Sequence, residues 1–150
     1  MQIVGSTPFP NALFMCQVGR TLTAADEGVL AGHRVLICDR DAKWSAPVRA
    51  RLGEAGIRVV QTPFQAPNAN AYAERFVRSI KHECLNRVIP LGDRHLRRTI
   101  AQFVAHYHEE RNHQGLGNDL IDGAPPVDGG RRIRCRQRLG GLLNYYARAA

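Results

Sequence analysis

The sequence predicts an α/β domain with helices following the strands and a basic tail at the C-terminus; residues 1–118 form the domain and 119–150 the tail. Three observations predict it. Short apolar runs at 34–38 and 57–60 end in polar or turn-forming residues, as buried strands do. Segments with capping and stop residues stand between and after them. Charge is lopsided: 21 Lys and Arg face 13 Asp and Glu, for a net charge of +8.

Gln2 to Val4 reads as a short strand at the very start of the chain. Asn11 is placed to cap a helix running to about residue 22, with Leu13, Phe14, Met15 and Val18 on its core side. Residues 34–38 form the next strand, buried and ending at Asp39. Ser45 is a good N-cap for a helix over 46–55; Pro47 is tolerated in its first turn, and Gly56 stops it. A strand over 57–60 follows, then the Pro/Asn loop "QTPFQAPNAN". A long helix is expected over 70–88. Its apolar face would be Ala73, Val77, Ile80, Cys84 and Val88. Asp93 caps a last helix to about residue 111, with Leu96, Ile100, Phe103, Val104 and Tyr107 inward. After His113 the periodicity dissolves into Gly, Pro and Asp. The tail holds five arginines in eight residues, "RRIRCRQR", followed by Tyr145 and Tyr146, which could dock on the core or meet a second subunit.

The positive charge draws the chain to polyanions, nucleic acid first, although a soluble basic protein would share it. The cysteines Cys16, Cys38, Cys84 and Cys135 show no metal-like spacing and read as free thiols in a reducing cytoplasm. No apolar run long enough for a membrane span and no signal peptide is present.

Two carboxylates stand out. Asp39 follows a strand, where α/β sheets place their sites and where turn-formers also sit. Glu74 lies in the first turn of the long helix, where the helix dipole favours an acid. Arg75, Arg78, Lys81 and His82 follow it. They are either a solvated face with an i,i+4 Glu–Arg pair or a grip on backbone phosphates. Hard oxygen ligands such as these suit magnesium-type ions. Arg131, Arg132 and Arg134 in the tail are either solubilising charge or further salt-sensitive phosphate contacts. Asp41 is better explained as a turn-former before Ser45 than as a site residue. His106 and His108 differ by two, so they point to different helix faces; with His113 they suit packing or surface roles better than zinc.

The segment "CDRDAKWS…GIRVVQTPFQAPNANAYAERFVRSIKHECLNRV" resembles the integrase/transposase catalytic core of the retroviral-integrase superfamily, the DDE enzymes of bacterial insertion sequences. The family's Asp-Arg-x-x-x-Phe/Trp pattern is matched by Asp39, Arg40 and Trp44. Its "NAxxER" pattern is matched by Asn70, Ala71, Glu74 and Arg75, and 34 residues separate Asp39 from Glu74. "HYHEERNHQGLGN" is similar to a signature found after the core. The resemblance implies an RNase H-like fold and DNA cleavage and joining by phosphoryl transfer in a mobile element. It also implies a two-metal Mg2+ or Mn2+ site using Asp39 and Glu74, a homo-oligomer on DNA, and no small-molecule cofactor. A cytoplasmic, nucleoid-associated location would follow. Two such metals activate the attacking oxygen and stabilise the leaving one.

The family uses three acids, the first on the opening strand of its sheet. Only 38 residues precede Asp39, and Asp26 and Glu27 lie too near it, in a loop-like segment, to be assigned. "MQIVGSTPFP" is similar to the family's third strand and the start of its first helix. The expectation is a core lacking its opening strands and its first catalytic Asp, with an exposed sheet edge and no activity by itself. A non-catalytic DNA-binding or interaction module derived from a transposase is the other reading. An RNase H-like nuclease of other purpose fits the helix "ERFVRSIKHE" and "HEERNHQGLG" less well.

Overall fold

The computed structural model describes residues 2–24, 28–65, 67–122 and 132–148. They belong to two compact units, divided between Arg75 and Phe76. Asp26, Glu27 and Arg131 lie outside the described residues.

In the first unit, helix α1 spans Ala12–Leu22, and Asn11 caps it as expected: its Oδ1 accepts from the Phe14 N–H at 2.9 Å. Strand β1 (Val35–Cys38), helix α2 (Ala46–Glu54) and strand β2 (Arg58–Gln61) form a βαβ unit. The strands pair in parallel, with Val35 opposite Arg58 and Cys38 opposite Gln61. Helix α2 ends in a Schellman motif. Gly56, at φ 78°, donates to Gly53 O, and Ile57 N–H reaches back to Leu52 O at 3.0 Å. Ile57 and Leu52 meet in the core with Met15 and Val48, flanked by Phe14, Cys16, Leu30, Leu36, Trp44 and Val59.

Three expectations change here. Gln2 to Val4 is not a strand; no ladder partner exists for it among the described residues. Ser45 stands at the N-cap of α2, but its side chain makes no capping bond and its buried Oγ has no partner. Pro47 at N2 explains part of this, since it removes one of the two N–H groups a capping oxygen normally meets. Strand β1 is only half-buried: Cys38 is inside, while Val35 and Ile37 are exposed. Successive residues of a strand face opposite ways, and helices cover one face of this two-stranded pair.

The second unit is built on helix α4 (Asp93–Glu109) and a hairpin of β3 (Ile133–Arg138) and β4 (Leu143–Arg148). Helix α3 (Ala71–Ile80) begins after a 3-10 turn at Pro67–Asn70 and continues into a π-helical turn at Lys81–Leu85. The core joins Phe76, Ile80, Cys84, Phe103, Tyr107 and Leu143. Phe103 is fully buried, and Phe76 meets Tyr107 edge-on at 5.0 Å.

The expected face of the long helix is therefore corrected. Phe76, Ile80 and Cys84 are buried, while Val77 is exposed and Ala73 and Val88 are only partly covered. The aromatic pair on α4 selects the Phe76 face, a choice that periodicity alone does not contain. The helix also stops at Leu85 rather than 88, because the π turn closes with Asn86 N–H on Lys81 O at 2.9 Å. Gly92, at φ 84°, is the N-cap of α4, and Asp93 is its first residue rather than its cap. Residues 133–148, read from the sequence as part of the basic tail, form the antiparallel hairpin. No helix among the described residues is long and apolar enough to cross a membrane.

Candidate active site and nucleic-acid interface

Asp39 leaves the end of β1 into a tight polar turn. Trp44 Nε1–H donates to its Oδ1 at 2.8 Å. Lys43 Nζ lies 3.2 Å from Asp39 Oδ2 and 3.1 Å from Asp41 Oδ2. The Lys43 backbone N–H donates to Asp41 Oδ1 at 2.9 Å, so Asp41 shapes the turn as expected. That backbone hydrogen bond, with the ammonium beside it, holds the Asp41 carboxyl below its usual range. Partial burial pulls the Lys43 ammonium down, but its bonds to Asp41 and Asp39 outweigh this and raise it. Burial, helped by the Asp39 charge, pushes the neighbouring Cys38 thiol up. Arg40 Nε–H donates to Thr62 O at 2.9 Å, tying the chain after β1 to the chain after β2. The Asp-Arg-x-x-x-Trp pattern is thus a local device: Trp44 packs against the core and aims the acid, and Arg40 fastens the two strand ends.

Glu74 lies in the first turn of α3 and is exposed; no hydrogen bond or ion pair to it occurs among the described residues. Arg75 and Arg78 on α3, and Lys81 and His82 on the π turn, are exposed too. By helical spacing they fall on the side away from Phe76 and Ile80. Arg132 and Arg134 are exposed beside and on β3.

Two further arginines of the tail do something the sequence did not suggest. Arg138 reaches Glu110 through Nε (2.9 Å) and a terminal nitrogen (2.7 Å), and Arg136 donates to the same carboxylate at 3.2 Å. His106 Nδ1 lies 3.0 Å from its other side. The Glu110 side chain is 1% exposed. Burial pushes its carboxyl up, but the hydrogen bonds from Arg138, His106 and Arg136 reverse this and hold it at about 2. The missed signal was a Glu in "HEER" separated from its arginines by 26 and 28 residues, a distance only folding closes. Of the other histidines, His108 Nδ1 meets Asp122 at 2.6 Å, and His113 Nε2 donates to Tyr107 O at 2.8 Å. Arg111 pairs with Glu83 and stacks over the Tyr107 ring.

The donor set does not make a metal site as it stands. Both oxygens of Asp39 are engaged, one by an indole N–H and one by an ammonium. No group of three His, Cys, Asp or Glu side chains able to hold a metal occurs among the described residues. Hard cations need several oxygens at once.

Residues 55–119 match the family model described as integrase core domain. The match contains Glu74, Arg75, Arg78, Lys81, His82 and Glu110, and begins after Asp39. No curated protein and no solved structure matches the chain. Over residues 55–119, less than half of its length, the chain is similar to an integrase core domain.

Proposed function

We propose that the chain serves DNA transposition or integration, with Asp39 and Glu74 as its catalytic acids within an RNase H-like core. Arg75, Arg78, Lys81 and His82 would grip backbone phosphates, with Arg132 and Arg134 as a second contact. The integrase core match that contains Glu74 carries this reading. The turn at Asp39 supports it, since Trp44 gives that acid a defined position. DNA is the substrate; the family's Mg2+ or Mn2+ would need oxygens beyond these two acids. The chain alone is expected to lack cleavage and joining activity. Incubation with oligonucleotide duplexes in Mg2+ or Mn2+ tests this: robust strand cleavage or joining would overturn the expected inactivity, and its loss in Glu74→Gln would support Glu74 as a catalytic acid.

A second reading is favoured by the engaged state of Asp39. The chain would be a non-catalytic DNA-binding module. Salt-dependent DNA binding unaltered in both Asp39→Asn and Glu74→Gln supports that reading, and a change in either variant argues for the first.

A further inference from the structure

An open groove of about 580 Å³ runs between α4 and β3, lined by Arg98, Ala101, Gln102, Arg136, Gln137 and Arg138. Its polar groups are almost all donors. Arg98 is exposed and makes no hydrogen bond or ion pair among the described residues. Gln102 spends its carbonyl on the Leu139 N–H at 3.0 Å, which leaves its amide N–H groups unspent. Arg136 is 65% exposed and gives one terminal nitrogen to Glu110, so most of its five N–H donors are free. Arg138 is held by Glu110 and lies 3.6 Å from Glu109.

The acids do not cancel the groove. Glu110 is buried beneath it and engaged on both oxygens, so it orients Arg136 and Arg138 rather than facing a ligand. Glu109 meets the groove only at Arg138. Guanidinium groups locked in this way lose little freedom on binding and match phosphate oxygens well. One helical turn before Arg98, the exposed Arg94 continues the basic line along α4. The groove is open, whereas sites for small molecules enclose most of their ligand. An extended polyanion fits it better than a free anion does.

We propose that this α4–β3 groove binds the phosphodiester backbone of DNA, through Arg98, Arg136 and Gln102. The inference rests on DNA being the substrate. It adds contact residues on α4 and β3 to those assigned above.

The test is fluorescence anisotropy of the full chain with a labelled random-sequence duplex across a salt series. Arg98→Ala is expected to weaken binding several-fold at low salt and to reduce the slope of log K against log salt by about 1. Arg98→Ala with Arg136→Ala is expected to reduce it by about 2, with Arg98→Lys restoring most of the loss. Arg136→Ala disturbs the Glu110 cluster, so Arg98→Ala decides the matter if the double variant does not fold. Binding by the unmodified chain with an unchanged slope in Arg98→Ala overturns the groove and leaves the DNA reading standing. No DNA binding by the unmodified chain overturns both. Heparin binding through Arg98 without duplex binding would make the groove a general polyanion site and overturn the DNA assignment.

Discussion

Trp44 Nε1–H donates to Asp39 Oδ1 at 2.8 Å, while Trp44 packs against the core cluster of Met15, Val48, Leu52 and Ile57. An acid at a strand end is thus positioned from the hydrophobic interior. Trp44→Phe keeps an aromatic ring and loses the donor; it is expected to cost about 1 kcal/mol in urea unfolding. Trp44→Ala also removes the packing and is expected to cost about 3 kcal/mol. No cost in Trp44→Phe would mean that the hydrogen bond adds nothing, and equal costs for the two variants would mean that the ring packing adds nothing.

Glu110 gives the protein a pH signature. Its carboxyl is held at about 2 against an ordinary value of 4.5, so the folded state keeps its charge where the unfolded chain takes up a proton. The stabilisation is complete above the ordinary value and drains away as pH falls from there through about 2. Thermal melts across this range are expected to drop more steeply for the unmodified chain than for Glu110→Gln. At neutral pH, Glu110→Gln is expected to lose about 2–3 kcal/mol, because it leaves Arg138 with only the 3.6 Å contact to Glu109.

Asn11→Ala removes the one side-chain cap on α1 and leaves the Phe14 N–H without its acceptor. The expected loss is about 1 kcal/mol, and Asn11→Ser or Asn11→Asp should recover most of it. Circular dichroism during denaturation reads both.

Leu52 and Phe103 are fully buried, one in each unit's core. Leu52→Ala is expected to cost about 2–5 kcal/mol and Phe103→Ala about 3–5 kcal/mol. Val77→Ala, by contrast, should fall within about 0.5 kcal/mol, because Val77 faces solvent on α3. A large loss at Val77 would restore the helix face that periodicity alone suggests.

Local chemistry was legible in the chain. Asn11 as a cap, Gly56 as a stop, Asp41 as a turn-former and the strand–helix–strand order each depend on residues close in sequence, and each is seen. The likeness to an integrase core domain was legible too, because "NAYAERF" and "HYHEERNHQGLGN" keep their spacing in one stretch. Ser45 misled in part because Pro47, two residues on, removes one of the two N–H groups its side chain would meet.

What the sequence by itself determined is therefore the order α1, β1, α2, β2, α3, α4, the Asn11 cap, the Gly56 stop and the likeness of residues 55–119 to an integrase core domain, since neighbours in the chain decide all of these. Tertiary structure alone decided which side of α3 is inside, because Phe103 and Tyr107 on another helix choose Phe76 over Val77. It alone turned part of an arginine run into a clamp on Glu110, because a buried carboxylate needs cations that only the folded hairpin brings to it. And it decided that Asp39 meets an indole and an ammonium, which shows that two acids at the right spacing are not yet a metal site.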